Sequence, residues 1–377
     1  MAINFPSSPT EGQILNVVPG NSFIFKDGFW QPAPLKTALP KNYVVNPCMT
    51  VSQENGDAGS VAASSLAYYP ADTWIASAGL EASARVLAVR SRPSATGSDY
   101  IIFQNNVAYT TPEPAPEYAQ IVHYLEGQRC ADFGWGTANG KQGIFRFAYY
   151  TNLGGTYSVQ IKRTSTGIPT FLAPFTAATG AWQVFEFAVP PPPADGAWLV
   201  DNTAAIQLSF GLHAASVFAN GNAGWQAVNK VTMVGTDNGL RAPASHLVTD
   251  VGFYLDPYLT GVAPSFVAPT YAEELRRCQR YWYRGYQFNG PVVAPNQMRG
   301  TNRHHVPMRA TPAVSIRGAP QVYELAVTSP ISSTANACNA MSIDLHHSIA
   351  ENDLTAGRAG VNYYNGPAHY IAVDARL

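Results

Sequence analysis

Carboxylate pairs are the first residues in this sequence whose types and spacing could do chemistry. Cleaving a glycosidic bond takes two carboxyl groups roughly 5 to 10 Å apart across a cleft, and the chain offers Glu126 with Asp132 and Asp250 with Asp256. Asp250 alternates with apolar neighbours, which predicts a solvated strand face, and Glu126 precedes a glycine, as an acidic turn residue does. We therefore interpret the pairs as turn and surface residues and predict that the chain is not an enzyme.

The sequence also contains no motif typical of nucleotide binding, acyl transfer or zinc binding. The sequence lacks a G-x-S-x-G nucleophile motif, and its glycine-rich runs lack the lysine of a phosphate-binding loop. The four cysteines are far apart and form no C-x-x-C pair, which argues against a zinc site and against a disulfide scaffold. No cofactor is predicted.

Histidines concentrate late in the chain, where five of the eight lie. Among them, His304 is followed by His305, and His346 by His347. Adjacent residues on a strand point to opposite faces, so neither pair chelates one metal by itself. In a threefold assembly, one histidine per chain would meet its copies on the axis and could bind a transition metal. The alternative is that these four are exposed or stacked strand residues.

Tyrosines beside asparagine and arginine make up the candidate glycan-binding set. Sugar rings stack on aromatic faces while their hydroxyl groups bond to polar side chains, and the runs Y-W-Y-R-G-Y at 281–286 and N-Y-Y-N at 362–365 have this composition. Trp282 is assigned to the core instead. The predicted glycan-binding residues are Tyr283, Tyr286, Arg299, Arg303, Tyr363 and Tyr364. For each of them, packing in the core or between subunits is the alternative.

One short helix is predicted to position these late residues. Thr270 with Glu273 three residues later has the spacing of a capping box, in which each side chain bonds the amide of the other residue. The apolar residues that would share one face of this helix are Tyr271, Leu275, Cys278 and Trp282. The stretch 270–286 is therefore predicted to be a junction between two β-rich blocks.

Alternating apolar and polar residues predict strands before that helix. The clearest alternation occupies 144–150, 157–162, 183–189, 206–213 and 247–255. In 206–213, the polar side chains Gln207, Ser209 and His213 oppose a row of apolar ones, which predicts a half-buried strand. Nearer the N-terminus, Asp27-Gly28 lies between aromatic residues and predicts a hairpin turn.

The composition supports an all-β protein built of several domains. Of 377 residues only 12% are charged, while 31 glycines and 29 prolines supply turns. The predicted fold is a small N-terminal β unit in 1–40, a central jelly-roll-like β-sandwich in 41–269, the junction helix in 270–286 and a C-terminal β-sandwich domain in 287–377. A low-charge surface and a small N-terminal unit favour a homo-oligomer, and a trimer is the favoured oligomeric state.

The charge of the whole chain is nearly balanced, at −1, which implies no general attraction to nucleic acid. No apolar run approaches ~18 residues and no secretory signal is visible, so membrane insertion is not expected. From Tyr271 onward, however, ten arginines accompany only seven acidic residues. This excess favours an anionic partner for the C-terminal block, with a chance imbalance as the alternative.

Several stretches resemble the tail-fibre and receptor-binding proteins of tailed bacteriophages. In chain order they are F-P-S-S-P-T-E-G-Q at 5–13, N-P-C-M-T-V-S-Q-E-N-G at 46–56, Y-P-A-D-T-W at 69–74, L-E-G at 125–127, E-L-R-R-C-Q-R-Y-W at 274–282 and V-P-M-R-A-T-P-A-V at 306–314. The chain departs from the family where a tryptophan usually precedes Asp27-Gly28, because Phe25 and Lys26 stand there. The resemblance brings no catalytic residues with it.

The resemblance implies a structural virion protein, most simply a tail fibre that attaches to a bacterial surface glycan. Residues 1–40 would bind other tail or baseplate proteins, the sandwich would be a spacer or a carbohydrate-binding-like module, and 287–377 would be the exposed tip where adhesion is expected. Such a protein is assembled in the host cytoplasm and released by lysis. The alternatives are a head-fibre or baseplate decoration protein and a glycan-depolymerising tail spike.

Overall fold

The computed structural model of the protein describes residues 5–11, 13–18, 21–32, 40–58, 60–62, 65–80, 86–91, 98–109, 116–165, 169–195, 198–285, 287–294, 297–317, 321–324, 327–338, 342–349, 359–363 and 370–377. Within these ranges the chain forms twenty-five strands and two short α-helices. The all-β prediction is therefore confirmed. No helix in the described ranges is long and apolar enough to cross a membrane.

The N-terminal unit is a three-stranded antiparallel sheet of β1 (Ile14–Val18), β2 (Asn21–Lys26) and β3 (Phe29–Pro32). The predicted hairpin turn is confirmed: Asp27 and Gly28 have φ values of 54° and 82°, and two positive φ angles match the right-handed twist of the strands that they join. Of the described apolar side chains in these strands, only Ile24 is buried.

Two packed sheets form the central sandwich. The six-stranded sheet has the order β13 (Gln183–Val189), β10 (Gly143–Thr151), β16 (Ala244–Leu255), β8 (Tyr100–Asn105), β7 (Val86–Ser91) and β4 (Ser60–Ala62). The seven-stranded sheet has the order β15 (Gly224–Gln226), β12 (Thr170–Ala177), β11 (Gly155–Arg163), β14 (Ala204–Ala214), β9 (Tyr118–Glu126), β6 (Trp74–Gly79) and β5 (Ser65–Ala71). Helix α1 (Gly127–Cys130) and a 3-10 turn (Ala131–Phe133) follow β9. The five strands predicted from alternation are all confirmed.

Aromatic side chains fill the space between these sheets. Phe145, Phe147, Phe210, Phe253 and Trp74 are fully buried there. Phe147 and Phe210 meet edge to face with ring centroids 4.8 Å apart, an arrangement that the ring quadrupoles favour. The burial of inward residues on both sheets explains why period-two alternation was visible in the sequence.

Strand β14 departs from its prediction because both of its faces are buried. Residues 228–234, which we call the covering segment, cross the outer face of the seven-stranded sheet. Gln160 Nε2 donates to Lys230 O and Ser158 Oγ donates to Val231 O. Beneath them, Gln207 Nε2 and Ser209 Oγ both donate to Gln160 Oε1, at 3.1 and 2.8 Å. The half-buried interpretation was wrong, since this polar row is satisfied internally rather than by solvent.

Helix α2 (Tyr271–Gln279) begins at the predicted capping box. The Glu273 amide donates to Thr270 Oγ1 at 3.4 Å, and the Glu273 carboxylate accepts from the Thr270 amide at 3.2 Å. The predicted apolar face is only partly correct. Tyr271 is 55% exposed, and the buried helical residues are Glu274 and Cys278. Trp282 is buried as expected, but it lies in the strand that follows, because the helix ends at Gln279.

The C-terminal part contains a three-stranded sheet and a barrel. The sheet has the order β17 (Trp282–Gly285), β25 (Tyr370–Asp374) and β20 (Ala313–Arg317). The barrel has the order β18 (Gln287–Ala294), β19 (Gln297–Arg303), β23 (Ser342–Ile349), β22 (Val327–Cys338), β21 (Gln321–Glu324) and β24 (Ala359–Tyr363). A sandwich was predicted here. Since β18 pairs with both β19 and β24, the sheet closes on itself instead.

Candidate functional site

The motifs that resemble tail-fibre proteins meet at one junction between the sandwich and α2. The Asn46 amide donates to Glu274 Oε1, and the Asn46 side chain bonds the carbonyls of Val51 and Asp72 at 2.7 and 3.0 Å. Trp74 Nε1 donates to Asn46 O at 2.9 Å. Three of the matching stretches, 46–56, 69–74 and 274–282, therefore contribute to a single hydrogen-bonded assembly. Its role is to fix the helix on the sandwich.

Glu126 belongs to the same junction and is not a turn residue. Its carboxylate is fully buried and accepts from Arg280 Nη2 at 2.6 Å, from Arg280 Nε at 3.2 Å and from Tyr281 Oη at 3.0 Å. Removing one partner from a buried ion pair leaves an uncompensated charge in a medium of low dielectric. The turn interpretation is corrected, because Glu126 joins the end of β9 to the end of α2.

The other candidate carboxylates also make structural contacts. Asp132 accepts a hydrogen bond from the Tyr43 hydroxyl and lies 3.4 Å from Lys41 Nζ. Burial tends to raise the pKa of Asp256, but hydrogen bonds from Gly261, Thr260 and Gln142 outweigh it and hold that pKa below its usual value. Asp250 interrupts β16 with a φ of 50°.

The predicted glycan-binding residues fall into different environments. Tyr283 is buried, with its hydroxyl 2.6 Å from His304 Nδ1, so its ring presents no open face. Arg299 and Arg303 are exposed on β19. Tyr363 ends β24, where its backbone pairs with Gln287 and Gln321. Tyr286 and Tyr364 lie outside the described residues, so a shared glycan site for the set stays a prediction.

The predicted metal histidines likewise stay a prediction. His304 uses Nδ1 to bond Tyr283, while His305 is exposed, with its ring 5.0 Å from that of Tyr283. His346 pairs in register with Arg299, and His347 with Met298. In the described part of the chain, no three potential metal-binding side chains are grouped closely enough to hold an ion.

An aromatic cluster that sequence reasoning missed lies on the outer face of the six-stranded sheet. Trp182 immediately precedes β13, and its ring centroid is 5.6 Å from that of Tyr100 and 5.7 Å from that of Tyr150. All three rings are partly exposed, and we call them the aromatic face. The ring planes are inclined by 55° and 46°, so the cluster forms a ridged surface rather than a flat one.

The sequence did contain a signal for this cluster. In β10, Phe145, Phe147 and Tyr149 point into the core, so alternation places Tyr150 outside. Tyr149 pairs in register with Gln183, which brings Tyr150 level with Trp182 on the neighbouring strand. Only the pairing of β10 with β13 shows that these outward residues are neighbours, since thirty-odd residues separate them in the chain.

Two cavities open elsewhere on the sandwich. One of about 250 Å³ is lined by His213, Thr232, Asp237 and Asn238 among others. Burial lowers the pKa of His213, whose Nδ1 lies 3.0 Å from Asn238 Oδ1. The second, of about 140 Å³, adjoins Trp135, Trp198 and the loop that follows α1.

Comparisons with known proteins identify no family. No family model matches the chain, and no curated protein sequence is significantly similar to it. Among solved structures, a CBM4 carbohydrate-binding module has a TM-score of 0.29 at 14% identity, covering 56% of this chain and 99% of that one. The family 11 module of a Clostridium thermocellum cellulosomal cellulase has a TM-score of 0.28 at 12% identity, covering 55% and 96%.

A phage protein is also among these similar structures. The enzymatically active domain of bacteriophage CBA120 tailspike protein 4 has a TM-score of 0.27 at 10% identity, covering 57% of this chain and 21% of that one. Scores at this level do not define a shared fold in detail. They therefore support no assignment of activity to this chain.

Proposed function

We propose that this protein is a glycan-binding attachment protein of a tailed-phage particle, of the tail-fibre type. The observation that supports glycan binding is the aromatic face, Tyr100, Tyr150 and Trp182, which presents three partly exposed rings on the outer face of the six-stranded sheet. Rings of this kind offer apolar faces to the C–H groups of a sugar, and tyrosine hydroxyls bond its polar groups. The virion role rests on the resemblance of the motifs at 5–13, 46–56 and 274–282.

The mechanism is reversible adhesion through several copies. Each aromatic face binds its glycan weakly, and copies held together on one particle convert later contacts into intramolecular ones, so that avidity replaces single-site affinity. The protein is accordingly a homo-oligomer, and a trimer is the first expectation. It is not an enzyme. Residues 1–40 bind other tail or baseplate proteins. A head-fibre or baseplate position is the alternative, and antibody labelling of particles distinguishes the three locations.

The test is binding of the full chain to an array of bacterial surface polysaccharides. Trp182→Ala is expected to weaken binding at least tenfold, because it removes the ring that contacts both tyrosines. Tyr258→Ala, which removes an exposed aromatic ring outside the cluster, is the matched control and should bind like the parent. Equal binding by Trp182→Ala and the parent would contradict the proposal.

The same array tests whether the C-terminal tip is a second glycan-binding surface. Arg299 and Arg303 are exposed on β19, where they can contact an anionic glycan. If the tip contributes, replacing both arginines with glutamine weakens binding at low salt more than at high salt. Release of reducing ends from any bound polysaccharide would instead identify a depolymerising tail spike.

A further inference from the structure

Arg129, the third residue of helix α1, carries a guanidinium group whose Nε has no hydrogen-bond partner among the residues that the structure describes. Its Nε is buried and makes no hydrogen bond, and no carboxylate among the described residues lies within 4.0 Å of the group. Arginine remains charged at any physiological pH, and a buried charged donor without an acceptor is costly. The side chain as a whole is only partly buried, so a ligand from solvent has access to it.

The acidic side chains around Arg129 are already paired with other cations. Glu126 pairs with Arg280 at 2.6 Å, and Asp132 pairs with Lys41 at 3.4 Å. Glu274 pairs with a third cation, Arg277, at 3.4 Å, and its other oxygen accepts from the Asn46 amide. Three cations thus match three carboxylates, and the charge of Arg129 is left over.

The charge of Arg129 acts on the interior of the junction. Burial raises the pKa of Tyr281 and of Cys278, and Arg129 opposes both rises. Burial raises the pKa of Glu274 as well, and Arg129 again acts in the opposite sense. The charge of Arg129 therefore reaches several buried groups of the junction.

We propose that Arg129 is a binding site for an oxyanion, the carboxylate of an acidic sugar or a phosphate group. The planar guanidinium presents parallel N–H groups that match two oxygens of either group, in the geometry of strong charge-assisted hydrogen bonds. Lys41, which pairs with Asp132, also donates from Nζ to the backbone carbonyl of Arg129 at 2.8 Å, so it holds the turn that carries the guanidinium. The acidic-sugar source rests on the proposed glycan-binding function.

The experiment measures thermal stabilisation of the full chain by glucuronate, inorganic phosphate and neutral glucose, with ionic strength matched by sodium chloride. A ligand that binds only the folded state raises the melting temperature in proportion to its occupancy. Glucuronate or phosphate should raise it and glucose should not. Arg129→Gln should need at least ten times more ligand than the parent to reach the same rise in melting temperature. Arg276→Gln, which removes an exposed arginine on α2, should keep it.

Each outcome bears on the proposal. A rise with glucuronate alone assigns the site to an acidic sugar, and a rise with phosphate alone assigns it to a phosphate group. An equal rise in the parent and in Arg129→Gln overturns the proposal. If Arg129→Gln does not fold, titration of the parent is followed through the NMR signal of the buried Arg129 Nε–H, and an unchanged signal overturns it. Trp182→Ala should keep the rise, so failure of the aromatic face is distinguishable from failure of this site.

Discussion

At the residue scale, two buried histidines are held neutral because both of their ring nitrogens are in use. His246 Nε2 donates to Gly239 O at 2.8 Å, and its Nδ1 accepts from the Tyr149 hydroxyl at 2.6 Å. The second, His123, accepts from the Val45 amide at 3.3 Å and donates to a carbonyl through its other nitrogen. Burial lowers the pKa of His246 to about 4 and that of His123 to about 3.

Because these histidines stay neutral in the folded state, we expect the free energy of unfolding to fall in mild acid. In the unfolded chain they take up a proton as the pH falls through about 6.5, while the folded state does not, so the stabilisation is full above 6.5 and is lost toward pH 4. His246 alone should lower the free energy of unfolding by roughly 2 kcal/mol between pH 6.5 and 5. Urea titrations at several pH values measure this slope.

The control for that prediction must hold constant the contribution of an opposing group, Asp72. Burial raises the pKa of Asp72 to about 6, so its protonation favours the folded state as the pH falls from 6 toward its unfolded value. The slope of the parent is therefore compared with that of His246→Gln, in which Asp72 is unchanged. His305→Gln, at an exposed histidine, should keep the slope of the parent. A His246→Gln slope equal to that of the parent would contradict the assignment.

At the element scale, helix α2 acts as a clamp between the sandwich and the strand that follows the helix. Its start is capped by Thr270, its buried face carries Glu274 and Cys278, and Arg280 beyond its end pairs with Glu126. Gln53 Nε2 donates to Trp282 O at 2.8 Å, which ties the following strand to the start of the sandwich. The helix is nine residues long, and such a short helix depends on these tertiary contacts for its stability.

Because helix α2 is held by these contacts, we expect two substitutions to lower the free energy of unfolding by different amounts. Trp282→Ala should lower the free energy of unfolding by roughly 3 to 5 kcal/mol, because it empties a buried aromatic site. Thr270→Ala should lower it by about 1 kcal/mol through the lost cap. Thermal or chemical denaturation measures both. If Trp282→Ala melts like the parent and yet loses glycan binding, Trp282 is a ligand platform and its assignment to the core is wrong.

At the scale of the whole molecule, the central and C-terminal parts share a partly buried polar interface. Arg376 pairs with Glu54 and with Asp374, and its guanidinium lies 3.8 Å from the ring centroid of Tyr69. Arg309 Nη1 donates to Asn202 O at 2.6 Å. Dividing the chain between 269 and 270 would separate these partners. Adhesion is therefore better located with point variants of the full chain than with two halves.

Exposed apolar side chains support the prediction of a homo-oligomer. Phe29 is 71% exposed on an N-terminal sheet that has little core of its own, and Leu259 and Val262 are 70% and 65% exposed. We expect a trimer in light scattering of the full chain at micromolar concentration. A single species of 40.5 kDa would contradict this expectation. Phe29→Ser and Val262→Ser then show which surface holds the copies together.

The sequence by itself determined the local structure of this protein. Strands in the sandwich, the Asp27-Gly28 turn and the Thr270 cap all follow from residues close together in the chain, because alternation, positive φ and capping are local properties. The resemblance motifs also marked residues that matter, although their shared role as the junction of sandwich and helix was not visible in them.

Only the tertiary structure decided what covers each element and which distant residues meet. Gln207 and Ser209 alternate like solvent-facing residues, yet a segment from later in the chain buries them. From the sequence, Glu126 was interpreted as an acidic turn residue. In the structure its counter-charge is Arg280, which lies 154 positions away in the chain. Tyr100, Tyr150 and Trp182 likewise become a surface only through strand order. Burial and charge pairing depend on contacts between remote segments, and no local pattern encodes those contacts.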